Sequence, residues 1–97
     1  MTKSFNAKKE TVFRACKQVL KDLGMEINGS SLANGKILAS TSGTLLSWGE
    51  DIEIKITEKG TYTLVSVSSN ASSQLFSWGK DSANERNILN ELGRKLS

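Results

Sequence analysis

Glu50-Asp51-Ile52-Glu53-Ile54-Lys55-Ile56-Thr57-Glu58-Lys59-Gly60-Thr61-Tyr62-Thr63-Leu64-Val65-Ser66-Val67-Ser68-Ser69 is the stretch that decides the fold. From Glu50 to Thr57 it alternates, with Ile52, Ile54 and Ile56 on one side and Asp51, Glu53 and Lys55 on the other. A period of two with β-branched residues on one face is the mark of a strand with one face buried. Lys59-Gly60 is the expected turn, and Thr61–Ser69 the returning strand. A two-residue loop there pairs Glu58 with Thr61, Ile56 with Thr63, Ile54 with Val65 and Ile52 with Val67. It also sets Glu50 opposite Ser69. Apolar residues meet apolar residues across this pairing, and a slip of one residue would send Val65 and Val67 to the polar face, so this register is the expected one.

Upstream, Met25-Glu26-Ile27-Asn28 alternates, and Asn34-Gly35 is a strong hairpin signal, because a type I′ turn needs positive φ at both positions. Lys36–Thr41 is the return strand, and Gly29-Ser30-Ser31 is the expected place of a bulge, since the alternation does not continue to Leu32. Further back, Val12, Cys16, Val19, Leu20 and Leu23 recur at helical spacing, with Phe13 at the border of the stripe. Asn6 is the expected N-cap and Gly24 the residue that stops the helix. Residues 2–6, around Phe5, form a first strand.

Downstream, residues 70–76 read as a polar loop. A last helix opens at Asp81 or Ser82, where Ser82-Ala83-Asn84-Glu85 has the form of a capping box. Its apolar face is Ile88, Leu89, Leu92 and Leu96. The whole predicts one α+β domain over residues 1–97, in the order β-α-β-β-β-β-α. An antiparallel sheet of about five strands carries both helices on one face. The other face, with Leu38, Lys55, Tyr62 and Leu64, is left open to solvent.

Composition removes several function classes. At 37% hydrophobic and 24% charged residues, the chain fits a globular protein rather than a disordered one. Histidine is absent, which removes the commonest general base, the Ser-His and Cys-His pairs and most zinc sites. Cys16 is the single cysteine, so neither an internal disulfide nor a thiolate cluster can form, and its place on the apolar stripe marks it as a small core residue. Gly-rich phosphate loops are missing, and no cofactor motif is present. Asp51 and Glu53 share a face, but an open, solvated one leaves both ionised, without the split that an acid/base pair needs. Serines 66, 68, 69, 72 and 73 have no residue nearby to activate them. The chain is therefore expected to be non-enzymatic.

Its formal charge of +3 is too small for a dedicated nucleic-acid binder. Arg14, Lys17 and Lys21 line one face of the first helix near Lys8 and Lys9, a stripe suited to an anionic polymer or membrane surface. Glu10 pairs with Arg14 at i,i+4 and Asp22 interrupts the far end, so a solvated face accounts for the same residues. No apolar run is long enough to span a bilayer, and Met1–Asn6 lacks the hydrophobic region of a signal peptide, which predicts a cytoplasmic protein.

One short repeat stands out. Leu45-Leu46-Ser47-Trp48-Gly49-Glu50-Asp51 is echoed by Leu75-Phe76-Ser77-Trp78-Gly79-Lys80-Asp81, and both tryptophans of the chain lie in it. The hairpin brings the two copies to one end of the sheet. Each tryptophan is open to two readings: a plug for the end of the core, or an aromatic platform of a ligand cleft with Glu50, Asn70, Lys80 and Asp81.

With these motifs the chain resembles a group of small bacterial domains without assigned function. The likeness is carried by Leu23-Gly24, Ser47-Trp48-Gly49, Gly60-Thr61, Val65, Val67, Ser68, Trp78-Gly79-Lys80, Asn84, Asn87-Ile88 and Leu92. It covers most of the chain and implies no activity. Some members carry an added hydrophobic segment that tethers them to a membrane, which these residues do not include.

The functional expectation is a binding or protein-interaction domain that uses either the open sheet face (Leu38, Lys55, Tyr62, Leu64) or the two-tryptophan edge. A protein partner or a homodimer would fit the face. The alternatives are a small-molecule cleft between the Trp48 and Trp78 loops, and anionic-surface binding through the basic helix.

Overall fold

The computed structural model describes residues 1–41, 50–71 and 83–97. They form β1 (Thr2–Phe5), α1 (Lys9–Asp22), β2 (Glu26–Ser31), β3 (Lys36–Ser40), β4 (Glu50–Lys59), β5 (Tyr62–Ala71) and α2 (Ala83–Leu96). The strands make one antiparallel sheet in the order β1-β5-β4-β3-β2, giving an α+β fold. β2 to β5 are neighbours in sequence and in space, whereas β1 joins the far edge beside β5. α1 therefore has to carry the chain across the sheet from one edge to the other, and it packs on β2, β4 and α2 as it does so.

α1 buries Val12, Phe13, Cys16, Val19 and Leu20, and α2 buries Ile88, Leu89 and Leu92. Both stripes meet Ile37, Ala39, Ile52, Ile54, Ile56, Val65 and Val67 from the sheet in one core. A fourteen-residue helix is marginal in water by itself. Burying each large aliphatic side chain contributes about 1.5–3 kcal/mol, so packing rather than propensity holds the helices.

The β4–β5 hairpin keeps the predicted faces but not the predicted pairs. Ile56 lies opposite Val65, Ile54 opposite Val67 and Ile52 opposite Ser69, a register two residues away from the expected one. Lys59 pairs with Tyr62, so Gly60-Thr61 forms the two-residue loop, and Gly60 takes the positive φ of +68°. A shift of two conserves the side-chain faces, so hydrophobic pattern cannot distinguish the two registers. Glu50 accordingly faces Ala71, not Ser69.

Three local expectations are also corrected. α1 begins at Lys9 after an extended Lys8 that makes no side-chain cap bond, so Asn6 is not the N-cap. Residues 6–8 instead bridge from the edge strand to beneath the sheet. There the Ala7 carbonyl accepts a 2.6 Å hydrogen bond from the hydroxyl of buried Thr63. The β2–β3 connection is a four-residue loop, Leu32 to Gly35, in which only Gly35 has positive φ, so the type I′ turn is not formed. The register shift of β2 falls between Ile27 and Gly29, at Asn28, one residue before the expected site. Asn28 then donates to the Ser40 hydroxyl at 3.1 Å. The proposed openings of the last helix, Asp81 and Ser82, lie outside the described residues.

Candidate interaction surface

Strand alternation and the observed pairing assign, residue by residue, the face of the sheet that no helix among the described residues covers. Opposite residues share a face, so Glu26, Ser40 and Asp51 form one row across β2, β3 and β4. Gly29, Leu38 and Glu53 form the next, and Ser31, Lys36 and Lys55 the one after, which continues through Ser66 to Thr2. Nearer the β4–β5 turn come the pairs Thr57–Leu64 and Lys59–Tyr62. Leu38 is 45% and Tyr62 41% exposed, and Leu64 is half-buried.

These apolar groups do not form one patch. Leu38 and Tyr62 sit on β3 and β5, and their rows, at Glu53 and Lys59 of β4, are six residues apart. At a rise of about 3.3 Å per residue, that is roughly 20 Å along the strands. Lys55 occupies the ground between them. Beside Leu38, Gly29 leaves open space where a Cβ would stand. A shallow depression of about 160 Å³ results, lined by Gly29, Ser31, Asn34, Lys36 and Leu38 among others. Sequence reading missed it because a glycine's effect on a surface depends on its cross-strand neighbour, and the bulge at Asn28 sets that neighbour.

The charges on this face are sorted by position. Glu26, Asp51 and Glu53 lie in the two rows farthest from the β4–β5 turn, and Lys36, Lys55 and Lys59 in rows nearer to it. The Lys36 ammonium bridges the boundary to Glu53 at 2.9 Å. That hydrogen bond holds the Glu53 carboxyl below its ordinary range, so it stays ionised and does not serve as a proton donor beside Asp51.

Other sequence candidates resolve one by one. Burial pushes the Cys16 thiol up to about 12, which favours the protonated form at neutral pH. Arg14 is tied to Glu10 at 2.7 Å, and Lys17 lies 5.7 Å over the Phe13 ring, so two of the three cations of the basic stripe already have partners. Glu85, read from sequence as half of a capping box, is buried at the start of α2. It accepts a 2.7 Å bond from Ser69 and lies 3.4 Å from the Met1 amine. Met1 in turn exchanges backbone bonds with Val67, so one carboxylate joins α2, β5 and β1.

Trp48, Trp78, Lys80 and Asp81 lie outside the described residues, and Glu50 and Asn70 are described by their backbone alone. Their pairing is informative: Glu50 with Ala71 and Asp51 with Asn70. The chain therefore comes into β4 and leaves β5 at adjacent points, two residues after Trp48 and seven before Trp78. No helix among the described residues is long and apolar enough to cross a membrane. No protein-family model matches the chain, and no curated protein matches it.

Proposed function

We propose that this domain acts by binding a protein partner through the uncovered face of its sheet, without catalysis of its own. The observation that carries this reading is the placement of both helices on one face, which leaves Leu38 and Tyr62 in solvent among sorted charges on the other. Isolated exposed apolar residues are ordinary. Here they stand on a regular platform beside a ready depression, an arrangement suited to a partner that anchors at separate points within a polar surround. The ionised Glu53 and the buried, protonated Cys16 fit a binding role better than a chemical one.

A photo-crosslinking amino acid at position 62, with a control at Lys21 on the solvent side of α1, tests this in the protein's own cells. The expected result is a discrete crosslinked product from position 62 and none from the control. Equal or absent crosslinking at both positions would sink the reading.

A second reading places recognition at the end of the sheet where the two Ser-Trp-Gly segments are rooted. It is favoured by the pairing of Glu50 with Ala71. Acrylamide quenching of each indole, with the other tryptophan replaced by Phe, decides it. Two shielded indoles that ignore a panel of metabolites would make Trp48 and Trp78 core plugs and remove the cleft.

A further inference from the structure

We infer that the partner of the uncovered face is a second copy of this chain, stacked face to face with its strand ends reversed. The inference rests on the reading of that face as the interaction surface, and it follows from the sorting of charge along it. Glu26, Asp51 and Glu53 occupy one half, and Lys36, Lys55 and Lys59 the other. Such a dipolar face is repelled by a copy stacked in the same sense. It is complementary to a copy turned about a two-fold axis that runs across the strands, between the Glu53 and Lys55 rows. The Lys55 row then lies over the partner's Glu53 row and the Thr57 row over its Asp51 row, so the basic side leans toward the partner's acidic side, and every contact occurs twice, as a closed symmetric dimer requires. Lys55 and Glu53 face each other reciprocally near the axis. Alignment of the axis with the strands would set like charges together, so the pattern selects one geometry.

The area sets the class of interface. Residues on one face recur about every 6.8 Å along strands about 4.8 Å apart, so the rows from Asp51 to Thr57 that overlap about this axis give a footprint of roughly 400 Å² per copy. Twice that is about 800 Å², below the range of stable interfaces, and most of it is polar. The dimer is therefore transient and sensitive to salt, favoured by high protein concentration.

Sedimentation equilibrium across micromolar to millimolar protein, at low and high salt, reads this directly. The expected result is a monomer–dimer equilibrium that salt weakens. Lys55→Glu with Lys59→Glu leaves Lys36, already bridged to Glu53, as the face's cation among the described residues, and Glu26→Lys with Asp51→Lys leaves Glu53 as its anion. All four side chains are exposed, so the fold tolerates the changes. Each variant alone should self-associate at least roughly tenfold more weakly, and an equimolar mixture should recover a dimer. Should a variant lose its circular dichroism, the salt series on the unaltered protein still decides. A protein that stays monomeric throughout, or one whose dimer ignores both charge reversals, overturns the inference. A crosslink from position 62 to a protein of different mass, with the chain monomeric, leaves the face as the interaction surface and removes the second copy as its occupant.

Discussion

Gly35 carries more of the fold than its size suggests. Its φ is +63°, and a Cβ added there would run into the carbonyl oxygen of Ile56, whose own N–H donates to the Gly35 carbonyl at 2.7 Å. Gly60 also has positive φ, but open space lies around it. Gly35→Ala should therefore cost about 2 kcal/mol or more, and Gly60→Ala about 1 kcal/mol, read from urea midpoints. Equal losses would mean that backbone conformation, not the approach to β4, is what fixes Gly35. At Cys16 burial pushes the thiol up to about 12 in the folded protein, from an ordinary value of 9.0. A raised folded pKa contributes stability that is intact below the unfolded value and is lost as pH rises between the two. Stability should thus fall more steeply with pH above 9 in this protein than in its Cys16→Ala variant, and a thiol reagent should label Cys16 only on unfolding.

At the scale of elements, the β4–β5 hairpin is held by more than its own pairing. Thr63 fixes the link between β1 and α1 through the Ala7 carbonyl, which explains a fully buried threonine on a face of isoleucines and valines. Thr63→Val keeps the shape but removes the donor, and should destabilise by roughly 1–2 kcal/mol in chemical denaturation. The Lys36–Glu53 bridge between β3 and β4 has a pH signature of its own. Glu53 is depressed by the Lys36 hydrogen bond, so its contribution is complete above the unfolded carboxylate value, about pH 4, and is lost as pH falls through the folded value. The stability gap between this protein and Lys36→Met should close over that acid range. A gap that persists at the lowest pH would show that Lys36 acts through packing. Asp22, held down first by Gln18 and then by Lys95 of α2, follows the same sign.

For the whole molecule, the contrast between the two faces of the sheet is the main energetic statement. Leu20, with no exposure, should lose about 2–5 kcal/mol on replacement by Ala, whereas Leu38→Thr on the open face should stay within about 0.5 kcal/mol, both measured by thermal unfolding. A large loss at Leu38 would mean that something covers that face in the isolated protein. The two-layer α+β architecture and the assignment of nearly every core residue were legible in the chain, because apolar residues at periods of two and 3.6 mark the inward side of each element wherever that element lies. The same periodicity is blind to a shift of two residues, and so Ile54 lies opposite Val67 rather than Val65. Asn6 looked like a helix cap because local chemistry favours it there, but the crossing from β1 to α1 moved the helix start to Lys9. Sequence alone determined which side chains face the core, Cys16 among them, and the repeated Ser-Trp-Gly segments. Tertiary structure decided the register, the place of β1 beside β5, the notch beside Leu38 and the gathering of Lys36, Lys55 and Lys59 away from Glu26, Asp51 and Glu53. Local pattern fixes direction toward or away from the core, while adjacency across strands is set by which backbone hydrogen bonds the whole chain can satisfy at once.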